Sequence, residues 1–235
     1  MVAILLKTMM ENFQLATYKV LSFDKISSTQ TYAHDMVANG TATDHTAIVA
    51  AAQYAGRGRY RRKWVSHHGN LYASFIFRAT AREPRLAYSV AVAIADTIAG
   101  YGIKPEIKWP NDILIDGAKV AGVLIEYAGR FVIIGIGINV HSNPTVAEYK
   151  TTKLDKYADV DLTDLFGKLA KNLDKWMAAE FDAVRREWMN MAAGLNRLVK
   201  YRGEQVELIG INDNGALVVR NKHEYLLIHG DEILM

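Results

Sequence analysis

The chain has 235 residues, of which 50% are hydrophobic and 23% charged, with a net charge of +3 and no cysteine. That composition fits one large globular domain with room for a small satellite. It excludes disulfides, a thiolate nucleophile and a cysteine-ligated metal, and its charge is too mild to imply nucleic acid by itself. The apolar run Val2–Leu6 has no basic stretch before it and is too short for a signal or membrane segment. A cytoplasmic protein with no membrane partner is expected.

In chain order, Tyr18–Ile26 reads as a first strand. Ser27, Ser28 and Thr29 then offer N-cap hydroxyls to a helix over Thr31–Val37 that stops at Asn39-Gly40. Hydroxyls at a helix start are usually only a cap, but they can also face a polar ligand. Thr46–Gln53 and Leu71–Arg78 are apolar runs suited to buried strands. Pro84–Ala99 repeats apolar residues at helical spacing and ends at Gly100 and Gly102. Glu106–Ile115 contains Pro110, so a strand bends or breaks there, and Asp116-Gly117 is a strong hairpin turn. Lys119–Tyr127 and Arg130–Val140 pair around Ala128-Gly129, and Leu162–Met191 reads as two helices broken near Glu180. From Asn196 onward, short β segments separated by turns predict a small barrel or sandwich. The expected class is α+β, with a first domain over residues 1–194 and a small β domain over 195–235.

The densest chemistry lies between Gln53 and Trp64. Five cations (Arg57, Arg59, Arg61, Arg62 and Lys63) fall within seven residues, and no acid occurs from His45 to Arg82. Such a loop repels itself and should be mobile until an anion neutralises it. Gly56 and Gly58 are read as positions of positive φ and of close approach to a ligand. The pattern is that of a flexible anion clamp, or else of a solvated basic loop. Lys119 opens a strand three residues before Gly122, where it can reach an anion on the sheet face or simply line the rim. Trp109-Pro110-Asn111-Asp112 aims a carboxamide and a carboxylate from a proline bend. Gly122, Gly135 and Gly137 are unusual inside strands and mark a face where a ligand can lie. Asn139, next in line, can match both a donor and an acceptor on an adenine edge. His67-His68 has no nearby carboxylate and makes a poor metal site. The chain has no Walker phosphate loop, no dinucleotide fingerprint, no nucleophile elbow and no H-E-x-x-H.

Together these motifs resemble the biotin protein ligases. The resemblance rests on Ser27-Ser28-Thr29, on Gln53 with Gly56-Arg57-Gly58-Arg59 and Arg62-Lys63-Trp64, on Lys108-Trp109-Pro110-Asn111-Asp112, on Lys119-Val120-Ala121-Gly122, and on Gly135-Ile136-Gly137-Ile138-Asn139. These span residues 27–139. The resemblance implies a central mixed β-sheet flanked by helices, like the catalytic domain of class II aminoacyl-tRNA synthetases, with a small barrel of Src-homology-3 type at the C-terminus. It implies a ligase that uses ATP and Mg²⁺ to turn biotin into biotinyl-5′-AMP, releasing pyrophosphate. Biotin then passes to a lysine on the biotin carboxyl carrier domain of a carboxylase.

The family's roles transfer residue by residue. Ser28, Thr29, Gln30 and Gln53 would bind the biotin ring, with Gly56, Gly58, Gly122 and Gly137 giving backbone room. Arg57 and Lys119 would hold the carboxylate and phosphate, Arg59 would touch biotin, ATP or the loop, and Trp64, Asn111 and Asn139 would bind the nucleotide. Asp112 would act with Arg57 and Lys119 in catalysis, as a partner for Mg²⁺ or for the lysine. Two departures stand out: Gln30 replaces an Asn, and Tyr60-Arg61 replaces glycines, which suggests a stiffer loop. No DNA-binding segment has room before Tyr18, so no DNA partner is expected, and a homodimer is. The alternatives are a lipoate or octanoate ligase on the same fold and, more remotely, a nucleic-acid-binding module built on the basic loop.

Overall fold

The computed structural model describes residues 17–229, so the run Val2–Leu6 lies outside the described residues. The elements in chain order are β1 (Lys19–Ile26), α1 (Thr29–Ala38), β2 (Thr46–Gln53), β3 (Leu71–Arg78), α2 (Leu86–Ala99), β4 (Glu106–Lys108) and β5 (Asp112–Ile115). After them come β6 (Ala118–Ala128), β7 (Phe131–Ile138), α3 (Leu162–Met177), α4 (Phe181–Met191), β8 (Leu198–Tyr201), β9 (Glu204–Ile211), β10 (Leu217–Arg220) and β11 (Tyr225–Ile228). The described chain forms two compact units, residues 17–82 with 118–170, and residues 83–117 with 171–229.

In the first unit the strands run in the order β1-β2-β3-β7-β6. β1 is parallel to β2 and the other neighbours are antiparallel, so the sheet is mixed as expected. The largely apolar runs in β2 and β3 follow from burial on both faces. On one face α1 packs Ala33 and Met36 against Ile48, Ile76, Phe131 and Ile133. On the other face Phe75 stacks on Phe166 of α3, with ring centroids 5.8 Å apart.

The register decides which side chains share a face, because residues directly opposite one another point the same way. Three rows cross the face that carries α1. The first is Ala50, Tyr72, Gly137 and Gly122; the second is Ile48, Ser74, Gly135 and Leu124; the third is Thr46, Ile76, Ile133 and Glu126. Under α1, Ile48, Ile76 and Ile133 of the second and third rows form the apolar packing. The first two rows have glycine where side chains would stand.

In the second unit, Glu106–Ile115 is two strands rather than one bent strand. β4 and β5 pair antiparallel, with Lys108 opposite Asp112, around a turn at Trp109–Asn111. Pro110 has no N–H to give to a ladder, so the chain reverses there. Tyr88 of α2 ties this turn to the small sheet: Trp109 Nε1 donates to its hydroxyl at 3.0 Å, and that hydroxyl donates to the Gly215 carbonyl at 2.8 Å. Burial pushes the Tyr88 phenol up to about 12. Trp188 of α4 packs edge-on against the same ring. The C-terminal strands form an antiparallel sheet in the order β11-β10-β9-β8, consistent with the small β domain expected there.

The turn after β5 holds Asp116 and Gly117 at φ 50° and 72°, the geometry of a two-residue hairpin turn. A Cβ on Gly117 would meet nothing within 4 Å, so only backbone strain opposes a side chain there. Gly117→Ala is expected to cost about 1 kcal/mol and lower Tm by about 2–4 °C, read by thermal denaturation. An unchanged Tm would rule out the positive-φ turn.

Candidate active site

Most of the site residues expected in the first unit gather on the glycine-bearing face or at its rim. Ser28 is the N-cap of α1, with its hydroxyl accepting from Thr31 N at 3.4 Å. Thr29 donates to Gln53 Oε1 through its N–H at 2.8 Å and its hydroxyl at 3.2 Å. Gln53 Nε2 in turn donates to Ser66 Oγ at 2.8 Å. Ser74, buried in the second row, directs its hydroxyl to Thr29 Oγ1 at 2.9 Å and Gln30 Oε1 at 3.0 Å. The Gln30 amide lies flat on Gly135, where a Cβ would come within 2.6 Å of Oε1. This longer side chain is accommodated because the strand beneath it is bare.

The basic loop closes on itself. Trp64 N donates to Gly56 O at 2.9 Å, Gly58 N to Arg62 O at 2.8 Å, and Arg57 bridges to Lys63. The positive φ expected of Gly56 and Gly58 falls instead on Tyr60 (53°) and Arg61 (60°), while Gly58 is extended at φ −121°. Gly56 serves space rather than torsion: a Cβ there would clash with the Trp64 carbonyl and sit 2.7 Å from Ser66 Oγ. The guanidiniums of Arg59 and Arg62 lie over the Tyr60 ring, at 4.9 Å and 5.7 Å.

The loop also finds its neutralising anion inside the chain. Arg57 Nη2 donates to Glu126 Oε1 at 2.7 Å. Glu126 Oε2 accepts from Gln30 Nε2 at 3.0 Å and pairs with His34 Nε2 at 2.9 Å. Burial pushes the Glu126 carboxyl up, but the hydrogen bonds from Gln30 and His34 and the charge of Arg57 outweigh it, so it titrates below the usual carboxylate range.

Trp64, Lys119 and Asn139 form the other end of the site. The Trp64 indole lies on the first row: a Cβ on Gly137 would be 2.5 Å from its Nε1, and one on Gly122 would be 2.9 Å from its Cζ3. Lys119 Nζ stands 5.3 Å from the Trp64 ring and 5.3 Å from the Tyr149 ring, a cation between two π faces. Asn139 is buried and donates from Nδ2 to Thr152 O at 3.0 Å. Asn139 Oδ1 and Trp64 Nε1 are buried polar atoms without a hydrogen-bond partner, a cost that a bound ligand would relieve. Asn111 and Asp112 belong to the second unit, at the turn and first position of the β4–β5 hairpin. Among the described residues no group of three or more His, Cys, Asp and Glu could hold a metal ion.

Three contributors escaped the motif reading. Ser74 interrupts the apolar run of β3, and Glu126 is an acid within the apolar strand β6. Either break in pattern is a usable signal. Asn70 gave none. Its Oδ1 accepts from the N–H groups of Val140, His141 and Ser142 at 2.8–3.1 Å, which fixes the chain just after Asn139.

The site thus sets cations and an indole over the glycine positions of paired strands in a mixed sheet. Residues 22–143 match the model of the Biotin/lipoate A/B protein ligase family. The chain is 34% identical to a bifunctional ligase/repressor BirA of Bacillus spizizenii, over 89% of this chain and 72% of that protein. It is 31% identical to a biotin–[acetyl-CoA-carboxylase] ligase of Paracoccus denitrificans, over 74% of this chain and 83% of that one. A biotin protein ligase from Aquifex aeolicus, solved in complex with biotin and ATP, matches with a TM-score of 0.79 at 26% identity, covering 92% of this chain and 97% of that chain. The chain belongs to the biotin/lipoate A/B protein ligase family.

Two outcomes test this geometry. Gly137→Ala should force the indole off the first row, so the Trp64 indole N–H resonance should move in a 1H–15N spectrum while the other three tryptophan signals hold; a stationary Trp64 signal would contradict the packing. The folded Glu126 pKa is depressed below its unfolded value, so its contribution to stability is complete above the ordinary carboxylate range and is lost as pH falls through the folded value. Urea midpoints of wild type should therefore fall more steeply below about pH 4.5 than those of Glu126→Gln.

Proposed function

We propose that this chain is a biotin–protein ligase that makes biotinyl-5′-AMP from biotin and ATP and passes biotin to a lysine of a biotin carboxyl carrier domain. The observation that carries the reading is the pair of unsatisfied buried atoms, Trp64 Nε1 and Asn139 Oδ1, at a glycine-floored face beside Lys119. A purine edge offers both an acceptor and a donor, so one base could meet both atoms.

In the first step a biotin carboxylate oxygen attacks the α-phosphorus of ATP and pyrophosphate leaves. Two anions must meet, and Arg57 and Lys119 are the cations placed to offset their repulsion. Thr29, Gln30 and Gln53 lie along the side where the ring of the acid would sit. In the second step a neutral lysine amine attacks the acyl carbon, the acyl–phosphate bond breaks and AMP leaves. The basic loop, folded on Trp64 and Tyr60, limits water at the reactive anhydride. Magnesium keeps waters and phosphate oxygens as most of its ligands, so it needs few protein ligands of its own. It would enter with the triphosphate, with Asp112 as the proposed protein carboxylate and Asn111 beside it as a proposed nucleotide contact. A homodimer and the absence of a DNA partner remain part of the proposal, and among the described residues no helix is long and apolar enough to cross a membrane.

The deciding assay follows pyrophosphate release with ATP, Mg²⁺ and biotin, with lipoate and octanoate in parallel, and then label transfer to a carrier domain. Biotin-dependent release and transfer are expected; release only with lipoate or octanoate would reassign the acid. Lys119→Ala is expected to slow adenylation at least about 100-fold with the fold retained by circular dichroism. Normal turnover in that variant would remove Lys119 from the mechanism.

A further inference from the structure

Glu126 belongs to none of the motifs that mark the site, yet it joins three of the site's parts. It closes the third row of the face, on the strand that also supplies Lys119 and Gly122. One carboxylate oxygen takes Arg57 from the basic loop at 2.7 Å; the other takes Gln30 and His34, one turn apart on α1, at 3.0 and 2.9 Å. A helix, a strand and a loop distant in sequence thus meet on a single side chain. Gln30 has no slack in this arrangement, because its Oε1 accepts from Ser74 and its Nε2 also reaches the Ile133 carbonyl at 3.4 Å. The Arg57–Glu126 pair is half-exposed, so it is weak enough for a substrate anion to exchange with it. Its main effect is to orient the guanidinium; as an exposed pair it adds only a small part of the stability Glu126 contributes.

We infer that Glu126 is a positioning residue for the ligase reaction: it holds Arg57 and Gln30 at the rim of the glycine-bearing face and yields Arg57 to the anion of the acid substrate. The inference rests on the biotin-ligase reading for the identity of that acid, but the hold on the loop does not. Without Glu126, Arg57 would lose the carboxylate that holds it and would have to be ordered by the substrate itself. The acid substrate would then bear the cost of ordering the loop.

The test uses Glu126→Gln, which keeps the shape and removes the charge, and Glu126→Asp, which keeps the charge on a shorter stem. Trypsin cleavage between Arg57 and Lys63 is followed first with no substrate added. Glu126→Gln should be cut there several-fold faster than wild type, while Glu126→Asp recovers most of the protection. Steady-state assays should show KM for biotin raised about five-fold in Glu126→Gln, the effect expected of a partly exposed ion pair. Its kcat and KM for ATP should stay within about two-fold of wild type. Unchanged cleavage, an Asp variant no better than Gln, or equal loss in kcat and both KM values would each overturn the inference. If wild type releases no pyrophosphate with biotin, the reading of the substrate fails on its own, and the cleavage rates without substrate still decide whether Glu126 holds the loop.

Discussion

The site depends on two adjacent antiparallel strands giving up side chains at matched positions. Gly122 and Gly137 are register partners, and Gly135 lies in the next row along β7. A side chain at any of the three would collide with something the site needs: Trp64 over Gly137, Trp64 and Lys119 over Gly122, or Gln30 over Gly135. A sheet face is ordinarily filled by the side chains of its own strands and sealed by a helix, as the third row is by α1. Here Gly122, Gly137 and Gly135 lower the face locally by the depth of a side chain, and aromatic, amide and cationic groups from elsewhere in the chain settle over them. Glycine weakens a strand interior, and both neighbours of β7 compensate with long, regular ladders.

Much of this was legible before any coordinates. β2 and β3 stand where their apolar runs predict, and the break near Glu180, the turn at Asp116-Gly117 and the small β region after Asn196 all appear. These succeeded because local pattern and burial agree there. The glycine strand was legible for the same reason, inverted: glycines inside an apolar strand contradict strand propensity, so they require an explanation from packing or ligand. The misreadings share another cause. Gly56 and Gly58 suggested positive φ because glycine is permissive, yet the loop places its left-handed residues at Tyr60 and Arg61. What Gly56 supplies is room for a carbonyl across a tight hairpin. Propensity says what a residue can do; contacts that only the fold creates decide what it does.

The partners of the basic loop were illegible for that reason. A run of cations with no nearby acid reads as uncompensated charge when only sequence distance is available. The compensating carboxylate lies 69 positions further on, in a strand whose apolar context disguises it. The break at Ser74 is visible in the sequence but its partners on α1 are not. Asn70 gives no sign at all, being an amide whose work is to hold three successive backbone N–H groups.

The two ends of the site differ in how far the protein satisfies itself. Around Thr29, Gln30 and Gln53, nearly every donor has an acceptor within the chain. A ligand ring bound there must exchange bonds already made, and such exchanges contribute little net free energy while selecting strongly for shape and for donors in the right places. Around Trp64 and Asn139, an indole N–H and an amide oxygen are buried unsatisfied, so a ligand that meets them removes a penalty of about 1–3 kcal/mol apiece. On the biotin-ligase reading, discrimination therefore concentrates at the acid end and the gain from new polar contacts at the nucleotide end. On the same reading, Arg57 and Lys119 would carry the charge where the two substrates join.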